Sequence, residues 1–96
     1  MKKRNVSQRI KNKFLEISDL SEELTKGYSK MVLLGNKEFL IENSRGIIEY
    51  ENNKIRVNTV NGEINVEGEN LIINEMGEGE LLVTGKIKSI LLENNN

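Results

Sequence analysis

Residues 42–50 read ENSRGIIEY, and this stretch opens a pattern of regularly spaced glycines that predicts the fold. Apolar residues follow Gly46 at regular offsets, and the same offsets recur after Gly62. Residues 62–68, GEINVEG, are echoed by residues 79–85, GELLVTG. Each unit spans about 16 residues, which is the length of two short strands and two turns. The pattern therefore predicts a repetitive β structure over most of the chain.

Alternation of apolar and polar residues supports this prediction. Successive side chains of a strand point to opposite faces, so every second residue shares a face. The residues predicted to face the core are Ile48, Tyr50, Ile55, Val57, Ile64 and Val66. The intervening residues, such as Glu49 and Arg56, are predicted to face water. The Asn-rich and Gly-rich segments between these runs favour tight turns.

About eight strands are predicted on this basis. Their ranges are 31–34, 38–42, 46–51, 54–60, 63–67, 70–75, 80–84 and 86–92. We expect a mainly β fold with an N-terminal α-helix, in which short antiparallel strands form a meander, a small sandwich or an open barrel. Stacked coils of a short β-solenoid are the alternative. The predicted organisation is a helix over residues 1–27 and a strand domain over residues 31–93, which together form a single domain.

The composition restricts the chemistry that this chain can perform. Its 96 residues include no cysteine and no histidine, so thiolate nucleophiles, zinc–thiolate sites and the usual general base are missing. Two Phe, two Tyr and no Trp offer no aromatic platform for stacking bases. We therefore predict no catalytic residues, no cofactor and no metal site, and a protein that acts by binding. Because no apolar run suits a membrane span or a signal peptide, we expect a cytoplasmic protein.

The N-terminal segment is basic, whereas the rest of the chain is acidic. The first 14 residues contain no acid and carry the bases Lys2, Lys3, Arg4, Arg9, Lys11 and Lys13. The other eight bases face all fifteen acids. Apolar residues recur at helical spacing, at Val6, Ile10, Phe14, Ile17, Leu20 and Leu24. This spacing predicts an amphipathic helix over about residues 6–25 that ends at Gly27.

Three roles are open for this segment. Its apolar stripe can pack over one face of the sheet, because a wholly exposed apolar face would aggregate. Alternatively, the stripe can enter a membrane interface or meet a partner helix, while the six bases contact anionic lipid headgroups. The third role is a nucleic-acid-binding arm, which the acidic remainder of the chain disfavours.

Several motifs resemble the YabP/YqfC family of endospore-formers. They are residues 42–50, Ile55-Arg56-Val57, Asn61-Gly62, residues 66–71 (VEGENL) and residues 85–90 (GKIKSI). The spacing and the basic helical lead-in are similar to the YqfC branch in particular, and the resemblance covers about residues 8–92. Ser44 departs from the family pattern, because we expect histidine there in many relatives.

The resemblance implies a sporulation protein without enzymatic activity, made in the mother cell during endospore development. Proteins of the YqfC type look like companions of a larger membrane-associated protein of the YqfD type, and the YabP branch is tied to spore assembly. The implied action is docking to such a partner or self-assembly into a homo-oligomer, in the mother-cell cytoplasm or at the periphery of a membrane. A module that binds nucleic acid or an anionic surface through its basic arm is the alternative, with nucleic acid the less favoured ligand.

Two further residues are candidates for contact with a partner. Arg45 can present its guanidinium group to a partner carboxylate. The alternative for Arg45 is an ion pair with Glu42 or Glu49 that only orders the turn. Tyr50 can contact a ligand, or it can pack in the core with its hydroxyl group at the rim.

Overall fold

A computed structural model describes residues 27–94, which form one six-stranded antiparallel sheet and no helix. The strands are β1 (Lys30–Leu34), β2 (Glu38–Glu42), β3 (Ser44–Glu51), β4 (Lys54–Thr59), β5 (Gly62–Met76) and β6 (Glu80–Asn94). Their spatial order is β1-β2-β6-β5-β4-β3. The prediction of a mainly β, antiparallel fold is confirmed. The solenoid alternative is wrong, because each pair of neighbouring strands in the described part is antiparallel. The predicted N-terminal helix lies outside the described residues.

The connections are short, as the turn residues predict. Strands β3 to β6 form a meander, and the β1–β2 hairpin adds to the other side of β6. Asn52 and Asn53 join β3 to β4, and Val60 and Asn61 join β4 to β5. In the β1–β2 turn, Gly35 has a φ of 58°, a left-handed conformation that glycine adopts without a steric penalty.

Strands β5 and β6 are each 15 residues long, so the prediction of eight strands is wrong. At the predicted breaks the chain bends without leaving the sheet. A Cβ atom at Gly68 would lie 2.0 Å from the carbonyl oxygen of Lys86, and one at Gly85 would lie 2.5 Å from that of Asn70. Register shifts beside Gly68 mark β-bulges, which bend and twist a strand. Glycine at these two positions therefore permits a close approach of two bent strands and does not mark a turn.

The bend divides the sheet into two halves of four strand segments each. The first half contains β1, β2, residues 80–84 of β6 and residues 72–76 of β5. The second half contains β3, β4, residues 62–67 of β5 and residues 87–94 of β6. In each half, backbone carbonyl groups of the hairpin turn accept hydrogen bonds from backbone N–H groups of the bend. In the first half, Gly85 and Ile87 donate to Lys37 and Asn36. In the second half, Gly68 and Leu71 donate to Asn53 and Asn52. The two halves thus share one arrangement, in which a hairpin turn accepts hydrogen bonds from the bend.

The main core lies on one face of the sheet, here called the inner face, and both halves contribute to it. Its buried residues are Phe39, Ile41, Ile55, Val57, Ile64, Val66, Leu71, Leu81, Val83 and Ile87. The predicted core positions on β4 and β5 are confirmed. The prediction for Ile48 is wrong, because this side chain is 47% exposed. Tyr50 lies on the inner face opposite Ile55, as predicted, but it is 51% exposed. A bulge between Ile47 and Glu49 shifts the alternation in β3, so Ile47 packs against the core instead of Ile48.

A second, smaller cluster lies on the opposite, outer face of the first half. It contains Val32, Leu40 and Leu82, with Leu34 packed against it. Cross-strand register places Val32, Leu40 and Leu82 in one row across β1, β2 and β6. On the outer face of the second half, the corresponding row holds Glu49, Arg56 and Asn65. The two halves therefore differ in polarity on the face that they turn away from the main core.

Candidate interaction surface

The structure describes only some of the residues that were predicted from the sequence to contact a partner. The basic residues Lys2, Lys3, Arg4, Arg9, Lys11 and Lys13 lie outside the described residues. Arg45 is exposed at the start of β3, and no carboxylate of residues 27–94 forms an ion pair with it. The alternative of a pair with Glu42 or Glu49 is wrong, because Glu42 pairs with Lys30 and Glu49 pairs with Arg56.

Arg56 forms an ion-pair cluster on the polar outer face of the second half. Its Nε donates a hydrogen bond to Oε2 of Glu63, and its Nη1 donates to Oε1 of Glu49 at 3.2 Å. The hydrogen bond from Arg56 lowers the pKa of Glu63. The bonds to Glu63 and Glu49 in turn raise the pKa of Arg56. Because the three residues belong to β4, β5 and β3, the cluster connects three neighbouring strands.

Tyr50 connects the edge strand β3 to the far half of β5. Its hydroxyl oxygen accepts a hydrogen bond from the backbone N–H of Ile73, with 2.9 Å between the two atoms. At the other end of β3, the backbone N–H of Ser44 donates to the carbonyl oxygen of Gly79, also at 2.9 Å. Strand β3 thus runs antiparallel to residues 73–79 and is joined to them at both ends. We call this pair of strand edges the β3–β5 seam.

The β3–β5 seam is protected against pairing with another chain. Strand β3 contains register shifts between Ser44 and Gly46 and between Ile47 and Glu49. It also carries three charged side chains along eight residues. Bulges and charges on an edge strand oppose a regular ladder of hydrogen bonds with a second chain. The half-exposed Ile48 therefore lies on an edge that is unsuited to strand addition.

The outer edge of β1 lies near the last residues of β6 without pairing with them, an arrangement that the sequence did not predict. At one end, the backbone N–H of Ile87 donates to a carbonyl oxygen of the β1–β2 turn at 2.7 Å. At the other end, the backbone N–H of Ser29 donates to Oδ1 of Asn61 at 2.9 Å. Met31 and Leu92 both line a small cavity of about 70 Å³ at this end. We call this pair of edges the β1–β6 seam.

The β1–β6 seam is regular and apolar. Strand β1 pairs with β2 over five residues without a register shift, and residues 31–34 carry no charge. Met31 and Leu33 are 36% and 47% exposed, and Leu92 across the seam is 56% exposed. Within residues 27–94, no strand pairs with the outer edge of β1. Such an edge is a template for adding an extended segment of another chain.

One sequence feature points to this surface: residues 31–34, MVLL, are four consecutive apolar residues. Read as a strand, that run indicates burial on both faces. Only the sheet order shows that β1 is an edge strand, whose inner-face side chains Met31 and Leu33 are half-exposed.

Other kinds of site are less well defined. An open cleft of about 730 Å³ lies where the β1–β2 turn meets the bend. Its lining includes Lys37, Glu38 and Lys86, and no residue between 27 and 94 that lines it is aromatic. Residues 27–94 contain no group of acidic side chains that could hold a metal ion. In the same part of the chain, no helix is long and apolar enough to cross a membrane.

Residues 27–94 thus form a small antiparallel β module with one protected edge, β3, and one unprotected edge, β1. The chain matches the model of the YabP family over residues 25–96, which is more than half of its length, and it belongs to that family. This match confirms the family resemblance in the sequence and assigns no branch within the family. Comparisons with curated proteins and with solved structures gave no match.

Proposed function

We propose that this chain is a non-enzymatic protein of endospore formation that docks to a membrane-associated partner through the outer edge of β1. Membership of the YabP family is consistent with a sporulation-related role. The observation that supports the docking mode is the regular, apolar edge of β1, which has no strand partner within the described residues. Following the family resemblance, we propose a YqfD-like partner and a location in the mother-cell cytoplasm at the periphery of a membrane.

Strand addition fits the physical character of this edge. In this binding mode, main-chain hydrogen bonds contribute affinity, and alternate side chains supply specificity. Met31 and Leu33 share the inner face of β1, and Met31 lines one cavity with Leu92, so an incoming strand would bury its own side chains among them. The partner segment is therefore an extended one with apolar residues at alternate positions.

The basic residues between Lys2 and Lys13 would add an electrostatic contribution at the membrane. Each Lys or Arg near an anionic cytoplasmic leaflet contributes about 1 kcal/mol of attraction, which falls off within a Debye length. A high-salt wash should therefore release the part of the membrane association that depends on these bases.

The test is co-purification of the tagged full-length chain from membranes of sporulating host cells. Leu33→Lys is compared with Ile48→Lys, because both parent side chains are 47% exposed and both lie on edge strands. The two variants therefore add the same charge to the unprotected and to the protected edge. We expect Leu33→Lys to lose the membrane-associated partner by about tenfold or more, equivalent to 1.4 kcal/mol. Ile48→Lys should retain it.

Three outcomes would contradict the proposal. Retention of the partner by both variants would rule out the β1 edge as the docking site. Equal amounts of the chain in vegetative and in sporulating cells would contradict the role in endospore formation. If the wild type is a dimer with no other protein bound and Leu33→Lys is a monomer, the edge of β1 joins two copies of the chain. Thermal unfolding of both purified variants checks that neither loses the fold.

A further inference from the structure

We propose that the apolar stripe of residues 6–25 packs on the outer face of the first half, over Val32, Leu40 and Leu82. The predicted helix and this row of side chains would then form a second core. This inference concerns the purified chain by itself and does not depend on the proposed docking role.

The burial of the outer-face row carries the inference. Leu40 and Leu82 are 2% and 1% exposed, although they lie on the face opposite the main core. Leu91 also lies on the outer face of β6, in the second half, and it is 54% exposed. Side chains stand roughly perpendicular to a sheet, so neighbours in the same sheet cannot cover their tips. Leu40 and Leu82 are therefore covered by something other than their neighbours in the sheet, and we assign this cover to residues 6–25.

Residues 6–25 have the position and length that this face requires. They end shortly before Lys30, where β1 begins, and β1 contributes Val32 to the row. A helix of about 20 residues is about 30 Å long. Four neighbouring strands span about 15 Å at their usual spacing, so such a helix can cross the whole half. The stripe of six apolar residues supplies the contact face.

Charge favours the same arrangement. Glu38, Glu42 and Glu80 share the outer face with Leu40 and Leu82, because they occupy alternate positions on β2 and β6. Lys30 lies on the same face and pairs with Glu42, so the acids outnumber this base. The first 14 residues of the chain carry six bases and no acid. Opposite charges around an apolar contact favour one orientation of the two surfaces. A stripe docked in this way would be unavailable to a lipid interface, which leaves only the bases of the segment for membrane contact.

The first test uses the methyl resonances of Val32, Leu40 and Leu82 in the purified full-length chain. Phe14→Asp places a charge in the apolar stripe, and Asn12→Asp makes the same charge change off the stripe. We expect Phe14→Asp to shift these methyl resonances and to speed amide exchange in β1 and β2, while Asn12→Asp leaves both unchanged. Unchanged methyl resonances in Phe14→Asp would overturn the inference. The methyl resonances of Val57 and Val66 report on the main core and show whether the sheet stays folded.

A second test leaves the apolar stripe intact. Because the chain has no cysteine, Glu22→Cys provides a single site for a paramagnetic label on the polar side of the predicted helix. We expect the label to broaden the methyl resonances of Leu40 and Leu82 much more than those of Leu91. Equal broadening of the three would overturn the inference. The spin-labelled chain is also mixed with an isotope-labelled chain that carries no spin label. Broadening in that mixture would mean that a second copy covers the row, and it would also overturn the inference.

Discussion

The hydroxyl group of Tyr50 takes the place of a missing strand partner for Ile73. Strand β4 pairs with β5 only as far as Glu67, so beyond the bend β5 has no strand neighbour on that side within the described residues. The Tyr50 oxygen accepts the N–H of Ile73 there at 2.9 Å. Tyr50 therefore links the two halves of the sheet while its ring stays half-exposed.

Tyr50→Phe removes this acceptor and keeps the ring. We expect the free energy of unfolding to fall by about 0.5–1.5 kcal/mol, the usual net contribution of one hydrogen bond. Urea denaturation measures this change, and faster hydrogen exchange at the Ile73 amide locates it. The control is Tyr28→Phe, because Tyr28 is 61% exposed and its hydroxyl group makes no hydrogen bond within the described residues. If both variants unfold at the same urea concentration, Tyr50 does not stabilise the link.

Gly68→Ala tests the bend of β5. Its new Cβ atom would lie 2.0 Å from the carbonyl oxygen of Lys86, so the backbone of one strand must shift. We expect a loss of about 1–3 kcal/mol in the free energy of unfolding, as for other overpacked sites. Gly77→Ala is the matched control, because its nearest neighbour is the Glu80 side chain at 3.5 Å. A Gly68→Ala protein as stable as Gly77→Ala would show that the bend does not need this close approach.

The ion pair between Arg56 and Glu63 predicts a pH dependence in the acid range. The hydrogen bond from Arg56 lowers the pKa of Glu63 in the folded protein below the ordinary value of 4.5. The stabilisation that this ion pair contributes is therefore present above pH 4.5 and is lost as the pH falls through the lowered pKa of Glu63. We expect the free energy of unfolding of the wild type to decrease more steeply below pH 4.5 than that of Glu63→Gln.

The control for this pH series is Glu67→Gln. Glu67 lies on β5 with Glu63, on the same outer face, and forms no ion pair within the described residues. Glu67→Gln removes the same charge from the same face, so the difference between the two variants isolates the ion pair. A Glu63→Gln slope identical to that of the wild type would contradict the assigned role of the pair.

The sequence predicts the local structure of this fold well. The positions of β1 to β4 follow from alternation and from turn residues such as Asn52 and Asn53, because both signals depend on neighbours in sequence. The error at Gly68 has a physical reason. Glycine suits both a turn and a close approach of two strands, and only the position of the Lys86 carbonyl group distinguishes the two.

The interaction surface depends on contacts that alternation does not specify. Arg56 has its partners at Glu49 and Glu63 because of cross-strand register, which one sequence does not fix. A bulge reverses the predicted orientation of Ile48 in the same way. Predicting the β1–β6 seam requires knowledge of the order of strands in the sheet, since β1 and the end of β6 are far apart in sequence. The role of Arg45 as a partner contact stays a prediction.

Site-specific photo-crosslinking in sporulating cells tests whether the chain docks through the edge of β1. A photoreactive amino acid replaces Leu33 in one strain and Ile48 in another, so each probe reports on one edge of the sheet. We predict a crosslink from position 33 to a protein of the membrane fraction and none from position 48. A crosslink from position 48 alone, or no crosslink from either position, would contradict docking through the edge of β1.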